Sequence, residues 1–271
     1  MKAAYMVATQ DIMRDKILCL KGDYAQIFQL VSRNGYTGIE LMVKNPFAVD
    51  FITIERSAKE YRLDIPMICT GEMFREDGLS FGDPRPEIRR EAIRRSKELM
   101  KIAEQLRAYV NVGRLRGEFQ SDILPEDTIA WVKDGFSEVA ACNPNVCLLL
   151  EPVNHINTNY LLTTSQGMSF IKELNIPNVK LMLDYMHMII ENEDIECSLA
   201  SAKGWFKHVH ICDSDRKPPG QGTFKFDPFF KLLHKVEYDG YVSIEARPTQ
   251  DYAFDLKKSF QVISPLLNGN S

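Results

Sequence analysis

An alternation of apolar strand patterns with amphipathic helical patterns, repeated about eight times along the chain, predicts an α/β fold closed into a (β/α)8 TIM barrel. Two further observations support it. Several strand patterns are nearly continuous apolar runs, as strands covered on both faces of a parallel sheet require. No composition shift or low-complexity stretch marks a linker within the 271 residues. A single TIM-barrel domain over 1–271 is therefore expected, since α/β barrels commonly run to about 250 residues as one unit.

Strands are expected at residues 3–8, 38–43, 64–69, 108–113, 146–151, 179–184, 206–212 and 241–245. Between them, helical spacing of apolar residues predicts helices at 24–34, 52–61, 86–106, 126–142, 165–174, 198–205, 228–236 and 251–266. Asn34-Gly35 and Asp239-Gly240 supply stop and turn signals ahead of the second and eighth strands. The clearest helix is 86–106, where Ile88, Ala92, Ile93, Leu99, Met100, Ile102 and Ala103 recur on one face. Its other face interleaves Arg89, Arg90, Arg94 and Arg95 with Glu87, Glu91 and Glu98. This reads as a salt-bridged solvated surface in preference to a phosphate-binding one.

Composition narrows the partners. A formal net charge of -4 argues against a general nucleic-acid binder, whose phosphate contacts need a basic face. The apolar run 3–8 is broken by Thr9, Gln10 and Asp11, too short for a signal sequence or a membrane span. Six cysteines stand at Cys19, Cys69, Cys142, Cys147, Cys197 and Cys212 without a C-x-x-C pair. They are read as reduced, mostly buried thiols of a cytoplasmic protein with no membrane partner.

The second half of the chain repeats one pattern, an apolar strand ending in a charged or metal-binding residue. Leu148-Leu149-Leu150 runs into Glu151, Leu181-Met182-Leu183 into Asp184, Val209 into His210, and Val242-Ser243-Ile244 into Glu245. The carboxyl ends of barrel strands share one rim, so these side chains converge although distant in sequence. Three buried carboxylates side by side need a cation. Three carboxylates and an imidazole suit manganese, magnesium or cobalt, with zinc left open, and we expect one divalent ion, manganese first. His187, three residues past Asp184, overhangs the same mouth, and the fork of Arg216 suits a substrate oxygen or carboxylate. His208 is expected one layer deeper, whereas His155 and His234 carry less weight. No Walker A loop, no G-x-G-x-x-G after a strand, no G-x-S-x-G elbow and no H-E-x-x-H is present.

Glu151-Pro-Val-Asn154, Met182-Leu-Asp184-Tyr-Met-His187-Met, His208-Val-His210 with Arg216 and Pro219-Gly-Gln-Gly222, and Ile244-Glu245 together resemble the xylose-isomerase-like superfamily of sugar isomerases and epimerases, especially its ketose 3-epimerase branch. Gly35-Tyr-Thr-Gly-Ile-Glu-Leu41, Glu76-Asp-Gly-Leu-Ser80 and Leu115-Arg116-Gly117 are similar to the sub-branch that includes 5-keto-L-gluconate epimerases.

The resemblance implies a metal held by Glu151, Asp184, His210 and Glu245, with His187 and Arg216 touching a small keto sugar or keto sugar acid. It further implies that Glu151 and Glu245 flank the substrate, one removing a carbon-bound proton and the other returning it through a cis-enediolate, giving epimerisation or isomerisation. A homo-oligomer, dimer or tetramer, is allowed. The chain departs from its relatives after the fifth strand, where Asn157 stands for a usual Glu and His155 for a usual Arg. Loss of that negative charge would admit a carboxylated substrate. Arg116 is placed at the mouth either to bind such a carboxylate or to pair with Glu118 or Glu72. The competing functions are a dehydratase of keto-inositol or dehydroshikimate type, a metal-dependent abasic-site endonuclease, and a non-catalytic sugar-acid binding barrel.

Overall fold

Eight parallel strands pair in sequence order, β1 with β2 through to β8, and β8 returns to β1 to close the barrel. They are β1 (Lys2–Ala8), β2 (Gly38–Met42), β3 (Met67–Cys69), β4 (Tyr109–Val112), β5 (Leu148–Leu150), β6 (Val179–Asp184), β7 (Phe206–Ile211) and β8 (Tyr241–Ile244). The helices are α1 (Tyr24–Arg33), α2 (Phe51–Glu60), α3 (Gly71–Arg75), α4 (Pro86–Leu106), α5 (Pro125–Cys142), α6 (Thr164–Leu174), α7 (Tyr185–Ile190), α8 (Ile195–Ser201), α9 (Phe226–Lys235) and α10 (Tyr252–Ile263). The computed structural model describes residues 1–269.

Alternation along each strand sorts the side chains into two populations. Outward residues such as Tyr5, Val7, Ile39, Leu41, Leu148 and Leu150 join the apolar faces of the helices in one continuous layer. Inward residues form two smaller clusters, Met67 with Leu149 and Met182, and Met6 with Ala8, Met42 and Cys69. The bore is therefore packed, and the chemistry is confined to its carboxyl rim.

Six strands are shorter than expected, β3 and β5 by three residues each. The ladder of β3 begins only at Met67, because Pro66 has no N–H to contribute and offers only its carbonyl, to Tyr109 N. The helix expected at 198–205 instead spans Ile195–Ser201, started by Asp194, whose carboxylate accepts from Cys197 N at 3.1 Å. On α4, Glu91 accepts from Arg94 and Arg95 at 2.7 and 2.8 Å, so these two arginines of the basic cluster are ion-paired, while Arg89 donates to the carbonyls of Asp83 and Pro84. The cysteines are free thiols, of which Cys142 and Cys197 are exposed. Among the described residues no helix is long and apolar enough to cross a membrane.

Candidate active site

The sequence Leu181-Met-Leu-Asp184-Tyr-Met-His187 folds locally around one carboxylate. Asp184 ends β6 and caps α7, with Oδ1 accepting from Met186 N at 2.7 Å and His187 N at 3.1 Å. That leaves Oδ2 aimed across the rim, where it accepts from Arg216 Nη1 at 2.8 Å. The cap also sets His187 on the inner side of α7, buried, with Nε2 3.8 Å from Glu151 Oε1 and 3.9 Å from Asp184 Oδ2.

Glu151 follows β5, and its Oε2 accepts from Asn111 Nδ2 of β4 at 2.9 Å. The close approach needs Gly113, because a Cβ there would stand 2.5 Å from Glu151 Oε2. Glu245 follows β8 and accepts from Arg216 Nη1 at 2.7 Å. His210 on β7 is fully buried, and its Nε2 faces Glu40 Oε1 and Oε2 at 2.9 Å each. The same Glu40 carboxylate accepts from His208 Nε2 at 2.9 Å, which also meets Ser243 Oγ at 2.9 Å.

These contacts set the charges. Burial opposes ionisation of Glu40, but the adjoining imidazoles overcome it and hold its carboxyl at about 2. Burial likewise works against the charged His210 ring, yet the Glu40 carboxylate raises it to about 10. His208 is pulled down by burial. Burial lowers His187 to about 3, so it is neutral. Glu151 is pushed up to about 7 by burial and by the neighbouring charges of Glu245 and Asp184. Burial also raises Glu245, whereas Asp184, despite its burial, is held low by Arg216.

With Nε2 committed to Glu40, the other nitrogen of His210 is the informative atom. Its Nδ1 is buried without a hydrogen-bond partner, 4.0 Å from Glu151 Oε1 and 3.9 Å from Glu245 Oε2. Donor atoms about 4 Å apart around one open space leave room for a cation between them, toward which they could close. The residues thus fit a divalent metal. They form overlapping triplets, Asp184 with His210 and Glu245, and Glu151 with Asp184 and His187, each with ligand atoms within 4.8 Å of one another. The proton held on His210 by Glu40 would leave as a metal entered.

The expected residues do not all meet. Glu151, Asp184, His187, His210, Arg216 and Glu245 converge. Asn157 also lines the cavity, its Nδ2 donating to Asn154 Oδ1 at 2.8 Å, while Asn154 Nδ2 meets His187 Nδ1 at 2.6 Å. His155 turns outward to Glu191. Arg116 is a correction to both roles expected of it. It is fully buried, and its guanidinium donates to the carbonyls of Gly113, Glu151, Tyr160 and Leu161 at 2.6, 3.1, 3.0 and 3.2 Å. Neither a substrate carboxylate nor Glu118 or Glu72 holds it; Glu118 instead accepts from Arg114 at 2.8 Å and Glu72 from Arg14 at 3.2 Å. Three participants were missed from sequence, Glu40, Asn111 and Asn154. A lone acid inside the apolar strand Gly38-Ile-Glu40-Leu-Met was the available signal for the first.

Residues 28–264 match the family model described as xylose isomerase-like TIM barrel. The chain is 26% identical over 239 residues to a probable ketose 3-epimerase of Synechocystis sp., covering 85% of this chain and 80% of that protein. It is 28% identical over 235 residues to a D-psicose 3-epimerase of Ruminiclostridium cellulolyticum, covering 83% and 78% respectively. Among solved structures, 3-keto-D-glucoside 4-epimerase from E. coli superposes with a TM-score of 0.80 at 21% identity, over 98% of this chain and all (100%) of that one. D-allulose 3-epimerase from Methylomonas sp. with D-allulose gives 0.80 at 20% identity over 97% of each chain. These two likenesses speak for the fold, and with the family match they place this chain in the xylose isomerase-like TIM barrel family.

Proposed function

We propose that this protein is a divalent-metal-dependent epimerase of keto sugars, with Glu151 and Glu245 as the groups that move the proton. The observation that carries the reading is the partnerless Nδ1 of His210, buried between these two carboxylates. Relatives named as ketose 3-epimerases supply the substrate class. Glu151, Asp184, His210 and Glu245 would hold the ion, and the oxygen-rich donor set supports manganese. When bound, the ion would act as a Lewis acid for the negative charge that develops on the sugar's carbonyl oxygen.

The chain's own residues account for the rest. Glu151, held by Asn111 at the cavity floor, would take the proton from the carbon beside the carbonyl. Glu245, on the neighbouring side of His210, would return a proton to the opposite face of the resulting cis-enediolate. His187, neutral, meets Asn154 Nδ2 at Nδ1 and Arg216 Nη2 at Nε2, 2.6 and 3.0 Å away, and lines the cavity where the substrate's oxygens would lie. Arg216 spans Asp184 and Glu245, donating Nη1 to both carboxylates at 2.8 and 2.7 Å and so fixing where they point. Glu40 positions His210 from below, a carboxylate behind an imidazole ligand.

The direct test incubates manganese-loaded protein with 2-ketohexoses in deuterated water. Deuterium should enter the carbon adjoining the carbonyl, with a product of otherwise unchanged mass. Loss of water would assign a dehydratase, and absence of exchange with every keto sugar would remove the reading.

A further inference from the structure

The cavity above the carboxylates, about 240 Å³, is not electrostatically balanced. Its β5, β6 and β7 side carries Glu151, Asn154, Asn157, Met186, His187 and Arg216. Its other side receives Lys16 from the loop after β1, Arg75 from the end of α3, Arg114 after β4 and Arg247 after β8. The lining acids are already assigned. Glu151 and Glu245 adjoin His210, and Glu72 accepts from Arg14 at 3.2 Å. Arg114 pairs with Glu118 at 2.8 Å, but its Nε is buried without a partner, and its guanidinium lies 4.5 Å from the centre of the Phe74 ring. Among the described residues, no side-chain ion pair or hydrogen bond engages Lys16, Arg75 or Arg247. Arg75 and Arg114 also line, with Arg14 and Phe74, a shallow depression beside the cavity.

Lys16, Arg75 and Arg247 are exposed to solvent and Arg114 is shared with Glu118, so together they leave a positive field at the cavity mouth that favours an anion there. A sugar bearing only hydroxyl groups gives them nothing to neutralise. We propose that Arg75, Arg114 and Arg247, with Lys16, form an anion subsite at the cavity mouth that takes a terminal carboxylate or phosphate of the sugar. The proposal rests on the keto sugar reading and deepens it by naming the substrate's far end. The substrate spans the rim, its keto group toward Glu151 and Glu245 and its oxyanion among the arginines, whose planar forks match either group in two-point contact. This replaces Arg116, whose Nη1 and Nη2 donate to backbone carbonyls inside the protein, as the source of carboxylate recognition.

The test uses manganese-loaded full-length protein and three probes sharing a 2-ketose head and differing at carbon 6: D-fructose, D-fructuronate and D-fructose 6-phosphate. Calorimetry reads binding and deuterium exchange reads turnover, so the two readings fail separately. An anionic probe should bind at least about tenfold more tightly than D-fructose, as charge-assisted hydrogen bonds imply. The stronger of the two identifies carboxylate or phosphate. That preference should collapse in the Arg75→Gln, Arg247→Gln double variant and be largely kept in Arg75→Lys. Equal affinity for all three probes, or a preference surviving the double variant, overturns the subsite. Exchange absent with every probe while the charge preference persists would instead overturn the epimerase reading and leave the subsite standing.

Discussion

Nε2 of His210 lies 2.9 Å from both carboxylate oxygens of Glu40, a residue on the second strand, so an acid distant in sequence fixes the ring's orientation and the nitrogen left for a metal. Glu40→Gln keeps a hydrogen-bonding side chain but removes the charge. Manganese affinity, read by calorimetric titration, should fall about 10- to 100-fold. Unchanged affinity would deny Glu40 its positioning role.

The same pair gives the metal-free protein a pH signature. The folded pKa of His210, about 10, lies above its ordinary value of 6.5. The folded state therefore holds a proton that the unfolded state has lost, and stability falls as pH rises. The contribution is complete below about 6.5 and gone above about 10. Glu151, raised to about 7, adds to the decline only at and below neutrality. Urea denaturation of metal-free protein between pH 7.5 and 10, a window set by these two values, should show decreasing stability. Rising stability across that window would contradict the charged Glu40–His210 pair.

For the proton transfers, Glu245→Gln should reduce formation of the epimer by about 100- to 10,000-fold, the usual worth of a positioned acid or base, while Glu151 can still exchange the proton it removes. Circular dichroism should report an intact fold. Near-normal epimer formation would take Glu245 out of the reaction.

Gly113→Ala tests the geometry around Glu151 without touching an ionisable group. The new Cβ would stand 2.5 Å from Glu151 Oε2, so the carboxylate must leave Asn111. Turnover should fall about 100-fold, as small misplacements of a reacting group commonly cost. A fully active variant would show that Glu151 works from another position.

Arg116→Met should act on stability. It leaves the carbonyls of Glu151 and Tyr160 without their donor, whereas Gly113 O keeps Arg116 N and Leu161 O keeps Val153 N. At about 1 to 3 kcal/mol for each unpaired buried group, the total loss should be about 2 to 6 kcal/mol by urea denaturation. A loss below about 1 kcal/mol would mean water replaces the guanidinium.

The barrel was legible because strand and helix periods are long-range repetitions, visible wherever an element is long enough to show its period. Gly71–Arg75 and Tyr185–Ile190 were invisible for the converse reason. With 5 and 6 residues they barely exceed one turn, and the second owes its start to the Asp184 side chain. Residues at strand ends announced themselves as charges after apolar runs, which is how Glu151, Asp184, His210 and Glu245 were found. Glu40 could not, because which face of β2 looks inward depends on barrel closure. Arg116 misled because sequence locates a side chain at the mouth without showing its direction. Two residues away, Arg114 reaches the cavity while Arg116 turns into the protein.

Every ligand proposed for the metal lies after residue 150, which makes the second half of the barrel look like a self-sufficient chemical unit. Glu40 argues otherwise. It is a transverse strut from β2 to β7, bringing the counter-charge that His210 and His208 share. A fragment carrying only β5 to β8 would own the whole ligand set and lack the acceptor that aligns its imidazole. The two halves of this chain are therefore joined by wiring as well as by packing, and chemistry is a reason for the barrel to remain closed.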